Sequence, residues 1–151
     1  MTVGTGRTHN KWISFWCDNS GGTLTDLTPY LRSVGAVGTK YDQQDVTAAP
    51  DGGKNYTVGW GDSPLSIEFI FDPVVLAHFA AISTVQPLSL DVRFGIRQTQ
   101  VTGEPQFGIS MAASTSGYLL TGLTVNQTES IVADFCVFGA TAPAFGTTNE
   151  T

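Results

Sequence analysis

Gly22-Thr23-Leu24-Thr25-Asp26-Leu27-Thr28-Pro29-Tyr30-Leu31 opens the stretch that decides the fold. It runs on through Tyr41-Asp42-Gln43-Gln44-Asp45-Val46-Thr47 and closes on Phe69-Ile70-Phe71-Asp72-Pro73. The closing piece reads as a strand that turns abruptly into a helix. Leu65, Ile67, Phe69 and Phe71 alternate with polar or outward positions, and Glu68 faces the other way. Asp72 can cap a helix, and Pro73 suits its first position because the missing N–H has no partner there anyway. Val75, Leu76, Phe79 and Ile82 then share one side, so the pattern predicts a helix over about 73–84.

Upstream of that junction, residues 39–47 and 56–60 read as strands. Pro50-Asp51-Gly52-Gly53 between them is turn punctuation that no core strand tolerates, and a long protruding loop over about 48–55, including Lys54, is expected. Residues 31–37 read as a further strand, and 25–30 as a short helical turn with Thr25 or Asp26 as its cap. Before them, Ile13, Phe15 and Cys17 alternate with Trp12, Ser14 and Trp16, which predicts a first strand. Downstream, residues 88–96, 106–113, 118–126 and 130–138 are strand-like, the last two joined as a hairpin through Gln127-Thr128-Glu129. The expected class is mainly β: a sandwich or barrel with one flanking helix. A single domain over 11–138 lies between an N-terminal arm (1–10) and an extended C-terminal arm (139–151).

Composition narrows the function. The 151 residues are enough for one domain with a real core, and 41% apolar content excludes a wholly disordered chain. Charged residues make up only 13%, about half the usual share. A surface so short of charge is poorly protected against association, which favours a protein covered by copies of itself. The net charge is −6, and the seven cations are scattered, so sequence-reading DNA binding is not expected. No run of about 20 apolar residues offers a membrane span, and the polar start lacks the apolar core of a signal peptide.

The search for chemistry comes back nearly empty. His9 and His78 stand alone, and no Cys or His pairs have the spacing of a zinc site. Asp42 and Asp45 are the nearest carboxylate pair, but Asp-Gln-Gln-Asp lacks the alternating ligands and glycine of a calcium loop. Ser110 and Ser116 have no evident base. No catalytic residue, metal site or cofactor is expected, and the chain does not read as an enzyme. Cys17 and Cys136 read as two small hydrophobes, with a bridge between them left open.

The motif run resembles the major tail tube proteins of long-tailed, siphophage-like bacteriophages. Gly22 to Tyr30 matches a Gly-x-Leu-Thr-Asp-Ile/Leu-x-x-Tyr segment, and Asp42, Asp45 and Thr47 match a strand ending in Asp-x-x-Asp-x-Thr. Lys54, Tyr56 and Gly59 match the variable loop, and Phe71-Asp72-Pro73 with the residues after it matches the strand-to-helix junction. Order and spacing agree over roughly 12–85; Trp60 and the polar N-terminal arm depart from the pattern. The resemblance implies a virion protein assembled in the host cytoplasm, whose subunits form stacked hexameric rings around a channel for DNA. It implies an inter-subunit loop carrying Pro50, Asp51, Gly52, Gly53 and Lys54. It also implies tape-measure, tail terminator and baseplate or tip proteins as partners, with DNA passing through without sequence-specific binding and no membrane partner.

On such a channel wall Glu68 and Asp134 are candidate lumen acids, the alternative being ordinary solvated strand faces. The second reading of the chain is a capsid decoration or cement protein, also small, β-rich and low in charge. A third, from another class, is a carbohydrate-binding module using Trp12, Trp16 and Trp60.

Overall fold

A computed structural model of the chain describes residues 12–19, 23–82, 86–95, 103–110, 116–127, 129–139 and 141–148. The arm expected over 1–10, with His9, lies outside them. Eleven strands and one α-helix are present among the described residues: β1 (Ile13–Asp18), β2 (Leu24–Asp26), β3 (Leu31–Val34), β4 (Lys40–Asp45), β5 (Tyr56–Asp62), β6 (Leu65–Ile70), α1 (Pro73–Ala80), β7 (Leu90–Phe94), β8 (Gln106–Ile109), β9 (Ser116–Asn126), β10 (Ser130–Gly139) and β11 (Ala144–Gly146). They form a five-stranded sheet in the order β11-β8-β7-β1-β2, a four-stranded sheet β3-β6-β10-β9, and a separate pair β4-β5. The mainly β class with a single helix is as expected.

The two larger sheets pack face to face as a sandwich. Alternation puts Phe15 and Cys17 of β1, Leu90 and Val92 of β7, and Phe107 and Ile109 of β8 inward from one side. Leu65, Ile67 and Phe69 of β6 meet them from the other, with Ile131, Ala133 and Phe135 of β10. Phe15 bridges the layers, its ring 5.7 Å from Phe69 and 6.3 Å from Phe135. Each such aromatic pair contributes about 0.5–1.5 kcal/mol beyond the area it buries. Glycine is required where the backbone is crowded: a Cβ on Gly108 would collide with the Leu90 carbonyl oxygen.

The helix closes one end of the sandwich. Asp72 caps it as expected, its Oδ1 accepting from the Val74 N–H at 2.8 Å. Val75 and Phe79 are buried, and the Phe79 ring lies 5.4 Å from Phe69 and 6.1 Å from Phe135. The helix ends at Ala80 rather than near 84: the Ile82 N–H donates to Phe79 O, tightening the last turn.

Three further boundaries differ from the sequence reading. Thr25 and Asp26 belong to β2, which pairs with β1, so the turn is a 3-10 segment limited to Thr28–Tyr30. Asp26 still supports it, Oδ1 accepting from the Thr28 N–H at 2.9 Å. β3 stops at Val34: a bulge between Leu31 and Ser33 interrupts its pairing with β6, and the Gly35 N–H makes one further bond, to the Ser66 carbonyl at 2.9 Å. At the other end of the chain, Gly139 completes β10, and 144–146 add β11 to the edge of the five-stranded sheet.

Cys17 and Cys136 are both free thiols and sit in different sheets. Burial pushes the Cys17 thiol well above its ordinary pKa, which suits a small apolar side chain rather than a reactive one.

Candidate assembly surface

No group of three or more metal-ligating side chains is present among the described residues. His78 is built into the structure. It lies on α1 with its ring edge-on to Phe79 at 5.0 Å, nearly buried, with Nε2 lacking a hydrogen-bond partner. Desolvation lowers its pKa, while a hydrogen bond to the Asp18 carbonyl and the Asp18 charge act in the opposite direction. Asp42 and Asp45 do not form a paired carboxylate centre either. They are one residue out of alternation, so they project to opposite faces of β4.

The part of the molecule that stands out is the β4-β5 pair. Every residue from 40 to 62 is exposed, on both faces and along both strands. The register brings Lys40 opposite Asp62, Gln43 opposite Val58 and Asp45 opposite Tyr56, with a bulge between. Tyr41, Val58 and Tyr56 therefore share one face, 61%, 68% and 48% exposed. Trp60, in the bulged region, is 88% exposed. A two-stranded hairpin is at best marginally stable alone in water, and four large apolar side chains in solvent mark a surface awaiting a partner.

The tip of this arm is ordered from within. Asp45 Oδ1 accepts from the Thr47 N–H at 2.9 Å and from Thr47 Oγ1 at 2.6 Å, and Asp45 Oδ2 pairs with Lys54 Nζ at 3.3 Å. These bonds hold the Asp45 carboxyl below its usual pKa. Thr47 Oγ1 in turn accepts from the Asn55 N–H at 2.8 Å, and Asp51 Oδ2 accepts from the Ala48 N–H at 2.7 Å. The loop that holds Pro50, Asp51, Gly52, Gly53 and Lys54 is thus a closed turn at the end of a hairpin, not a slack loop between core strands.

The root is fastened to the sandwich. Thr39 Oγ1 and Ser63 Oγ lie 2.7 Å apart, and the buried Tyr118 hydroxyl donates to the Ser63 carbonyl at 3.0 Å. Desolvation by burial, with a further push from Asp62, raises the Tyr118 pKa, so the phenol stays a donor through the neutral range. Beside the root is a cavity of about 470 Å3 between residues 35–40 and 64–66, with Asp134 and Phe135 in its wall.

Glu68 and Asp134 both project from the outer face of the four-stranded sheet, since their neighbours Ile67, Phe69, Ala133 and Phe135 face the core. Glu68 lies 3.6 Å from Arg32 and 3.5 Å from Ser33 Oγ. Such a solvent-exposed pair contributes at most about 1 kcal/mol. Asp134 sits at a bulge where Thr121 Oγ1 donates to its carbonyl. Exposed Ile70 and Phe138 share this sheet, so the face is mixed rather than purely acidic.

The aromatic platform considered for a carbohydrate is not assembled. Trp16 lies in β1 with the Arg93 guanidinium 4.2 Å above its ring, whereas Trp60 stands on the separate hairpin. Sequence reasoning located the loop but missed the exposure of Tyr41, Tyr56, Val58 and Trp60. A signal was present: Asp42, Gln43, Gln44 and Asp45 are polar on both faces of their strand, which a core strand is not.

No family model matches the sequence, and no curated protein matches it. Solved structures do match the fold. The tube-terminating cap of the anti-feeding prophage superposes with a TM-score of 0.65 at 10% identity, covering 98% of this chain and 95% of that one. The sheath-tube complex of an extracellular contractile injection system, in its extended state, gives a TM-score of 0.61 at 9% identity, covering 94% and 93%. The chain therefore shares its fold, over almost its whole length, with a chain of that tube-terminating cap and a chain of that sheath-tube complex.

Proposed function

We propose that this chain is a structural subunit of a phage-tail-like tube, polymerising as stacked hexameric rings around a channel through which DNA passes into the host. The observation that carries the reading is the pairing of that near full-length fold likeness with a hairpin exposed along its whole length. A surface of this kind is stabilised only when another chain covers it. Ring closure and stacking would do so by repeating one head-to-tail contact.

In this reading the loop with Pro50, Asp51, Gly52, Gly53 and Lys54 is the inter-subunit contact and residues 1–10 serve as an arm between rings, whereas the arm expected over 139–151 is held to the sandwich through β10 and β11. Of the two candidate lumen acids, Glu68 would face the channel, whereas Asp134 lines the cavity at the hairpin root and is not part of that wall in this reading. With a net charge of −6 and scattered cations, such a wall would repel DNA instead of holding it. Tape-measure, terminator and baseplate or tip proteins would complete the assembly in the host cytoplasm.

A second reading is favoured by one observation: the first of the compared structures is a tube-terminating cap, matched over 98% of this chain. In that reading the chain would end a tube instead of extending it. Electron microscopy of the purified protein at high concentration distinguishes the two. Striated hollow tubes support the tube subunit, and single rings that do not stack support the cap. Isolated particles that bind empty capsids would overturn both in favour of a decoration protein. Removal of residues 48–55 should leave a folded monomer without tubes; unchanged tubes would remove the loop from the contact.

A further inference from the structure

We propose that the cavity at the root of the hairpin is a socket for Tyr56 at the far end of the hairpin of a second copy of this chain. The inference rests on the tube reading above and gives that contact an anchor and a receiving site. The socket offers apolar wall from Ala36, Val37, Leu65 and Phe135, together with the charged groups of Lys40 and Asp134. At about 470 Å3 it is within the range of clefts that enclose a compact ligand. A tyrosine suits that lining: its ring would fill the apolar part, and its hydroxyl could donate to the Asp134 carboxylate.

The choice of Tyr56 follows from geometry. Trp60 is the more exposed side chain, but it sits near the root, close in the ladder to the socket's own Lys40. A knob beside its own hole favours a closed two-fold pair, in which the same patch meets itself. A contact that passes from copy to copy needs knob and hole apart. Tyr56 pairs with Asp45, five residues along β4 from Lys40, or about 17 Å at strand rise. Neither Tyr56 nor Trp60 is in the cavity wall, so a copy does not fill its own socket.

The end that would carry the anchor is preorganised. Asp45, directly opposite Tyr56, is fixed by Thr47 and Lys54. Little ordering remains to be done on docking, which is where binding free energy is commonly lost.

A benzophenone amino acid in place of Tyr56, mixed with isotopically heavy wild-type chain, tests the contact directly. Illumination of assembled protein should cross-link light to heavy copies at residues 35–40 or 64–66. Two substitutions at exposed positions provide a second readout: Tyr56→Ala empties the socket and Ala36→Trp fills it. Each should raise the concentration needed for assembly about tenfold or more, with the monomer's unfolding midpoint unchanged. Tubes or rings that form while cross-links fall elsewhere overturn the socket and leave the tube reading standing. Assembly unaffected by both substitutions overturns it equally. A protein that forms no oligomer under any condition overturns both.

Discussion

The sandwich and the hairpin are made of the same kind of strand, yet physically they are opposites. In the body, Phe15, Ile67, Phe69 and Ile131 are completely buried, and strands such as β1, β6 and β10 turn one face into the core. In the hairpin, Tyr41, Val58 and Trp60 point into solvent, and every residue from 40 to 62 is exposed. The body completes its burial within one chain; in the proposed assembly, the hairpin would leave its own to another. Stability should therefore be a property of the body, and assembly a property of the arm.

The sharpest test of that division is in the core. Phe69→Ala removes a ring that touches Phe15 and Phe79, and should lower unfolding stability by about 3–5 kcal/mol in urea denaturation. Gly108→Ala is expected to lose about 1–3 kcal/mol, because its Cβ meets backbone that cannot move aside. A loss under about 0.5 kcal/mol would mean that β7 and β8 yield more readily than their packing implies.

A smaller effect comes from His78. Its folded pKa lies below the unfolded value of about 6.5, so the unfolded chain binds more protons as the medium becomes acidic. Its contribution is complete above that value and falls as pH drops through it towards the lower folded pKa. The thermal midpoint should decline between pH 7.5 and 5.5, and His78→Gln should flatten the decline. An equal slope in the variant would place the sensitivity elsewhere.

The smallest expected change in stability is the most telling for the arm. Trp60→Ser should leave the monomer's unfolding free energy within about 0.5 kcal/mol, since its side chain is almost wholly in water. Tube or ring formation should nevertheless weaken. A marked loss of monomer stability would break the comparison, because the arm would then be stabilising the body.

The body was legible in the sequence because its strands are long enough to show alternation with one apolar face. β1, β6 and β10 are recognisable from Phe15 and Cys17, from Leu65 to Phe69, and from Ile131 to Phe135. Asp72-Pro73 announced the helix by local chemistry that needs no tertiary context. β2 and β11, three residues each, carry no period and depend on neighbours distant in sequence. The hairpin was half legible. Pro50-Asp51-Gly52-Gly53 marks its tip, but whether Trp60 is covered depends on what surrounds it, and alternation does not report that. The cavity was not legible at all, because its wall joins residues near 36, 65 and 135.

The fastening of the hairpin root has a mechanical consequence. A pull or twist on the arm enters the sandwich through Thr39 and Ser63, and the Tyr118 hydroxyl passes it into β9. β9 is hydrogen-bonded to β10 over ten residue pairs, so the load is shared in shear by a long ladder rather than borne by one turn. A subunit built in this way behaves as a stiff link with its lever clamped at the base. In a filament of such links, bending would be resisted at every joint.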